Sequence, residues 1–491
     1  MSKIWVPRDY QVAMRAFAME TGRWNWWAGT GTGKTGATLD TFIYMRMFGE
    51  AKRLLVLGTK RICTMVWPRA IKQFENFQHL TCAVAVGTPD QRLAALRANA
   101  DVTCINYDNL PWLLEVMNGE WPWDMVFADE STKLKNTRVS IRTSSLGKQY
   151  IQIDGGSRRA GEIAKVAFSR VKVWGNGTGT PCGNGLGDLY GQQWFIDAGV
   201  ALGRTFTAFQ ERWFYYEQRG SDAFARELKA FPHADPEIKA LLRPTTITIE
   251  AKDFMDLPPL VKNVVPVALS KPAQKAYREM EKEFFLEWKG KEHEAVSAGS
   301  KSMKCRQIAS GALYVDESLY AADENGVVKR GKTTYDTIHD AKIEALLDIV
   351  EEAAGAPVLV GYYFKSSLDR ILKAVPKAEY FDDNPRTLER FIRGEIPVLC
   401  AHPKSAGHGI DGMQESCNTA VFFDLDWNLE EHEQLIERIG PTRQAQSGHQ
   451  RAVFIQYLLA EGTLDGEIVE RLETKASVQD SVKLAMKRRG L

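Results

Sequence analysis

The stretch from Ala28 to Thr35, Ala-Gly-Thr-Gly-Thr-Gly-Lys-Thr, has the residue types needed to hold a triphosphate. Gly29, Gly31 and Gly33, with Thr30 and Thr32 between them, let the backbone curl until several N–H groups converge on phosphate oxygens. Lys34 is placed to reach the β and γ phosphates, and the Thr35 hydroxyl is suited to ligating Mg²⁺. A helix beginning near Gly36 would turn its positive dipole end toward the same charge. Further along, Trp123 to Ala128 is an apolar run that ends in two carboxylates, Asp129 and Glu130. Asp129 is suited to reaching Mg²⁺ through its water shell, and Glu130 to orienting or deprotonating the water that attacks a γ phosphate. The Gly-rich loop alone already reads as a phosphate site, whereas the acidic pair alone would be a solvated loop; the two in series point to nucleotide hydrolysis. Upstream of the loop, the Gln11 amide can serve both the donor and the acceptor edge of adenine. An arginine from the second half of the chain would neutralise γ-phosphate charge in the transition state.

Such groups need strands to carry them. Trp24 to Trp27 reads as a strand before the loop, and Thr38 to Met47 as the helix after it. Leu54 to Leu57 and Val102 to Ile105, the latter ending at Asn106 and Tyr107, are short apolar β-prone runs of the kind buried in parallel sheets. A helix is expected over Ile62 to Phe77, so the first unit reads as α/β. From Ser131 to Lys172 there are ten Lys or Arg against only Asp154 and Glu162. That block is either a phosphate-contacting surface or a solvated loop, and Gly155 to Arg159 favours the loop. Val171 to Trp174 is strand-like and runs into a Gly/Thr turn, Gly175 to Pro181.

Leu186 to about Leu242 loses the strand alternation and reads as helices with large aromatic anchors. Leu257-Pro258-Pro259 marks a hinge. After it come a strand over Val261 to Leu269, a helix over Pro272 to Trp288, and polar loops at Gly290 to Ser302 and Lys329 to Lys332. A second α/β unit is expected from near Asp340, with strands Val358 to Tyr363, Val398 to Ala401 and Ala420 to Phe423.

At 491 residues the chain exceeds one core and suits roughly three units of ~150 residues. Apolar residues at 44% and charged residues at 25% are ordinary, and no apolar run is long enough to span a membrane. Seven scattered cysteines without a Cys-x-x-Cys pair argue against structural zinc or a disulfide framework. The N-terminal residues lack the apolar core of a secretory signal, so a cytoplasmic location is expected. Net charge is only +1, so a polyanion must be held by local basic surface.

The order of these motifs resembles the Swi/Snf-type branch of the superfamily 2 helicase-like ATPases, in a compact bacterial or bacteriophage form. Arg8, Tyr10 and Gln11 resemble the adenine-reading motif. Ala28 to Thr35 resembles motif I, where Ala at the first position is normal for the superfamily. Asp129-Glu130-Ser131-Thr132 stands where the family has Asp-Glu-Ala-His, followed by Lys133-Leu134-Lys135-Asn136. Thr178 to Pro181, with Asn184 and Asp188 to Tyr190, is similar to motif III. Leu257 to Pro259, Gln274, Tyr277 and Cys305 to Ile308 match segments that bracket a helical insertion. Ala406 to Asp411 resembles motif V, and Asp426 to Asn428 with Gln434 to Gln444 resembles motif VI and its approach. Glu461 to Asp465 and Lys475 match the closing segment. Two departures stand out: Thr132 replaces the histidine of the acidic box, and Pro441 stands where a second arginine is expected after Arg438. Arg443, displaced by two residues, is then the finger.

The resemblance implies an α/β fold of two RecA-like parallel-sheet lobes with helical insertions. The lobes would span 1–256, with an insertion at about 186–242, and 257–475, with an insertion at about 270–335; a tail follows at 476–491. It implies ATP and Mg²⁺ as cofactors and double-stranded DNA as partner, bound by a monomer with no membrane association. Nucleic-acid contacts are expected at Asn106, Tyr107, Lys133, Lys135, Gly407 and His408. The function so implied is DNA-dependent ATP hydrolysis coupled to translocation on duplex DNA or to remodelling of DNA or protein–DNA complexes. A strand-separating or branch-migrating helicase is the close alternative, and an ATP-switched clamp with little turnover is the alternative of another class.

Overall fold

Apolar runs that are buried on both faces pair in parallel under covering helices, and the chain follows that rule twice. The computed structural model describes residues 3–29, 31–218, 226–283, 285–288, 291–294, 298–314, 321–322, 328–329, 334–382, 384–406 and 411–486. It divides into two units, Met1–Phe254 with Lys475–Leu491, and Met255–Thr474. The C-terminal stretch expected as a separate tail thus groups with the first unit.

In chain order the strands of the first unit are β1 (Arg23–Ala28), β2 (Leu54–Gly58), β3 (Cys82–Ala85), β4 (Val102–Asn106), β5 (Met125–Asp129), β6 (Thr137–Thr143), β7 (Gln149–Gly156), β8 (Val173–Thr178), β9 (Phe214–Gln218), β10 (Arg226–Ala230) and β11 (Thr246–Ile249). Seven form one sheet in the order β11-β1-β8-β5-β2-β4-β3, every pair parallel. Helix α1 (Asp9–Thr21) precedes β1, and α2 (Lys34–Met47) follows it. The order places β1, β8 and β5 side by side, so their C-terminal turns lie along one edge, where ligands bind in such sheets.

Three expectations change here. The helix over Ile62 to Phe77 breaks at Phe74, which is extended. The N-terminal strand residue Lys3 bridges to Phe74 and bonds the backbone on both sides of it, which pulls that residue out of the helix. The basic block is not a structureless loop: β6 and β7 form an antiparallel hairpin, and a helix follows at Arg158–Ala167. Its strands hide an alternation of Val139, Ile141, Ile151 and Ile153 beneath the charges. The helical stretch after Leu186 is interrupted by a second hairpin, β9 with β10.

The second unit has its own six-stranded parallel sheet, ordered Leu260–Val267, Val453–Ala460, Thr419–Phe422, Val358–Gly361, Val398–Ala401, Glu379–Tyr380. The sheet therefore starts at the strand after the prolines and not near Asp340. The helix expected to reach Trp288 ends at Glu283, and Phe285–Trp288 pairs instead with Lys291–Glu294. Its buried residues Ala273, Ala276, Tyr277 and Met280 pack on Cys305, Ile308 and Ala309 of the helix Ala298–Ala309. All seven cysteines are free thiols. Among the described residues no helix is long and apolar enough to cross a membrane.

Candidate active site

The turn after β1 is shaped by backbone that only glycine adopts cheaply. Gly31 and Gly33 have φ of +80° and +77°. A Cβ on Gly33 would also strike the side-chain amide of Gln11. Gln11 Nε2 and the Tyr10 hydroxyl donate to the Thr32 carbonyl at 2.9 and 3.2 Å, while Gln11 Oε1 accepts the Arg8 N–H at 2.9 Å. The amide expected at adenine thus spends one donor and one acceptor on bracing the loop. The Thr32 hydroxyl donates to the Gly29 carbonyl at 2.8 Å. Lys34 Nζ lies over the loop and donates to the carbonyls of Ala28 and Gly29 at 2.8 and 3.2 Å. Helix α2 begins at Lys34, two residues earlier than expected, which puts Thr35 in its first turn. The Thr35 hydroxyl engages no protein group among the described residues. Thr30 lies outside the described residues.

Strand β5 delivers Asp129, buried at 6% exposure, with its Oδ2 accepting the Trp67 indole N–H at 3.0 Å. Burial first, and the neighbouring Glu130 second, push the Asp129 carboxyl up to about 6; the Lys34 ammonium and the Trp67 bond act in the opposite direction. Glu130 has φ 59° and ψ 59°, a left-handed conformation that costs a side-chain-bearing residue about 1–3 kcal/mol. That conformation turns the chain into the short helical turn Ser131–Leu134. Tyr107, expected at nucleic acid, is buried, and its hydroxyl donates to the carbonyl of Asp129 at 2.9 Å. Its place is beneath the acidic turn and not at a surface.

Strand β8 absorbs residues read as a turn: Val173–Thr178 is strand, and only Gly179 to Pro181 turns. A Cβ on Gly177 would come within 2.6 Å of Phe127 Cζ and 3.6 Å of Lys34 Cδ, so the missing side chain makes room for both. Behind these turns runs a buried polar network. The Ser131 hydroxyl donates to Gln192 Oε1 at 2.8 Å, and Gln192 Nε2 donates to the carbonyls of Pro181 and Asp188 at 2.7 and 2.9 Å. Asn176 Nδ2 donates to the Gln192 carbonyl and to Asn25 Oδ1, both at 2.9 Å. Asn25, Trp67, Asn176 and Gln192 are the residues that sequence reasoning missed. The available signal was Gln192-Gln193 inside an otherwise apolar helix, since buried amides require internal partners.

Of the remaining expected nucleic-acid residues, Asn106 is half-buried and accepts from Asn109 Nδ2 at 2.5 Å. Lys135 is ion-paired to Asp188 at 3.2 Å, and Lys133 is half-buried in the turn after Glu130. Gly407 and His408 lie outside the described residues.

Within the second unit, Arg438 is buried and its Nε donates to the Gln434 carbonyl at 3.2 Å. Arg443 sits on the short helix Pro441–Gln446 and pairs with the Asp411 carboxylate. Arg306 and Asp426, from two separate motifs, meet at 2.8 Å, and the same guanidinium donates twice to the Leu425 carbonyl.

No protein-family model matches the chain. By sequence it is similar to putative protein p41 of Acyrthosiphon pisum secondary endosymbiont phage 1, 41% identical over 490 residues that cover 99% of this chain and 100% of the relative. Among solved structures it is similar to a Sulfolobus solfataricus SWI2/SNF2 ATPase core in complex with dsDNA, at TM-score 0.42 and 18% identity over 99% of this chain and 95% of that one. It is also similar to the Pyrococcus furiosus Hef helicase domain, at TM-score 0.49 and 13% identity over 94% of this chain and 97% of that one. The relative by sequence is thus a bacteriophage protein matched over its whole length.

Proposed function

Because the chain belongs to the family of the phage protein p41, whose name carries no activity, its function rests on its own site, and we propose that it is a DNA-dependent ATPase that translocates on or remodels duplex DNA. One observation carries the reading: three neighbouring parallel strands, β1, β8 and β5, each deliver one chemically equipped turn at the same edge of one sheet. The first turn offers backbone N–H groups and Lys34 to a triphosphate. Lys34 would exchange the carbonyls of Ala28 and Gly29 for phosphate oxygens, a local move of a flexible side chain.

The donor set fits Mg²⁺. The Thr35 hydroxyl is unspent, and Asp129 stands beside a second carboxylate, Glu130, whose repulsion a divalent cation would offset. Thr35 and Asp129 would hold the ion, which when bound supplies charge neutralisation at the phosphates. Glu130, turned out of the sheet by its left-handed backbone, would orient the attacking water. Arg443, whose guanidinium pairs with Asp411, is the candidate arginine finger. DNA enters through the resemblance of the motif order to the Swi/Snf-type ATPases: contacts are expected mostly to phosphates, hence salt-dependent and weakly sequence-specific.

The test is phosphate release from ATP with and without duplex DNA, single strands and RNA. Duplex DNA should stimulate it most. Lys34→Ala and Glu130→Gln should each lower turnover by about 10²-fold or more, with nucleotide binding retained in Glu130→Gln. Unchanged hydrolysis in both variants would remove the site assignment, and a wild-type protein that binds ATP without turnover would favour the switched clamp.

A further inference from the structure

The β6–β7 hairpin lies between the acidic turn and β8 and takes no part in the site above. One face of it is structural: Val139, Ile151 and Ile153 join the core of the first unit, with Ile153 packed on Gly161 of the helix that follows. Strand alternation puts Arg142 and its cross-strand partner Tyr150 on the other face, where both are exposed. The tip is not slack. The Ser144 N–H donates to the Lys148 carbonyl and the Gly147 N–H to the Ser144 carbonyl, both at 2.9 Å, and the Lys148 N–H donates to Ser144 Oγ at 3.1 Å. This closed turn holds Leu146 out at 94% exposure. The hydrogen-bonded turn thus projects a single apolar side chain beside the cations of the hairpin.

The flanking charges name the partner. Arg142 and Lys148 have no side-chain partner among the described residues. Arg138 is committed elsewhere, its guanidinium 4.3 Å from the Phe206 ring centroid. Two unpaired cations beside a projecting apolar tip fit phosphates on either side of a groove, with the tip against base and sugar edges. A purely apolar pocket on a protein would not use the cations.

The base of the hairpin is tied to the catalytic turn. The Thr137 hydroxyl donates to the Leu134 carbonyl at 2.6 Å, and the Asn136 carbonyl accepts the Ser157 N–H at 2.9 Å. The hairpin thus springs directly from the turn that begins at Glu130.

We propose that the β6–β7 hairpin is a duplex-DNA contact, with Arg142 and Lys148 on backbone phosphates and Leu146 inserted against the edges of a groove. The proposal rests on the DNA-dependent ATPase reading. The experiment uses the full chain and a short fluorescent duplex, followed by anisotropy across a salt series, beside ATP turnover with and without DNA. The double variant Arg142→Ala with Lys148→Ala should bind about 10-fold more weakly at moderate salt, with the slope of log affinity against log salt reduced by about two. Leu146→Ser should weaken binding by about threefold or more and leave the slope unchanged. DNA-free turnover should equal wild type in both, which also reports an intact fold. If wild type binds duplex and is stimulated by it, but both variants match its affinity and slope, the hairpin assignment is overturned while the enzyme reading stands. If wild type neither binds duplex nor responds to it, the enzyme reading itself falls, and the hairpin assignment with it.

Discussion

The Ser131 hydroxyl donates to the side-chain oxygen of Gln192 at 2.8 Å, and through that amide the acidic turn is joined to the turn after β8. Ser131 directly follows Glu130, and Pro181 ends the Gly-Thr turn, so a single side chain couples the residue after Glu130 to the neighbouring strand end. Both N–H donors and the oxygen of Gln192 are engaged in buried surroundings. The serine–glutamine bond is a direct mechanical link between the two turns.

Breaking that link should separate coupling from binding. Gln192→Ala leaves the Ser131 hydroxyl and two carbonyls without their partner, and each buried orphan costs about 1–3 kcal/mol, so some stability will be lost. Ser131→Ala is the milder probe. It should leave KM for ATP within about twofold while lowering DNA-stimulated kcat roughly 10-fold, with DNA-free turnover less affected. Equal losses with and without DNA would mean that the bond only supports the fold.

Much of the first unit was legible because its signals are local. The glycine spacing, Lys34 and the continuous apolar runs of β1, β2, β4 and β5 need no knowledge of what lies across the sheet. The features that escaped are set by residues distant in sequence. Phe74 leaves its helix because Lys3 pairs with it. Tyr107 reads as an aromatic at an exposed strand end, yet its hydroxyl is claimed by the carbonyl of Asp129. The edge strands β3 and β11 are short, and four residues seldom carry a readable period. The β6–β7 hairpin did alternate, but the glycines and serine of Gly155 to Arg159 supported the reading of a solvated loop. In the second unit the Leu260–Val267 strand was visible, whereas its partner Val453–Ala460 was not, so the start of that sheet was misplaced.

The second unit holds an ion pair whose loss should be costly. Lys342 Nζ lies 2.7 Å from Asp465 Oδ2, with the two side chains 0% and 3% exposed. Lys342 also donates to the Phe423 carbonyl at 3.0 Å, and Asp465 accepts the Ala460 N–H at 3.0 Å. Lys342→Met strands a buried carboxylate, and unfolding by urea or heat should show a loss of roughly 3–5 kcal/mol. Lys342→Met combined with Asp465→Asn removes both charges and should recover a large part of that loss. A single variant as stable as wild type would show that the pair is dispensable.

Asp129 sets fold and function against each other, and pH should expose the conflict. Its carboxyl sits at about 6 in the fold against an ordinary 3.8, so the folded state favours the neutral form. Its stabilising contribution is therefore complete below about pH 4 and is lost as pH rises through about 6, a difference of roughly 3 kcal/mol. Metal binding requires the opposite, ionised form. ATP hydrolysis at fixed Mg²⁺ should accordingly fall as pH drops through about 6, and added Mg²⁺ should move that limb to lower pH. Trp67→Phe removes the indole donor that favours the carboxylate, so the limb should shift upward by about one unit. Asp129→Asn should abolish turnover and, in the metal-free protein, flatten the decline in stability between about pH 4 and 6. A pH–rate profile that Trp67→Phe leaves unmoved would mean that another group sets the acid limb.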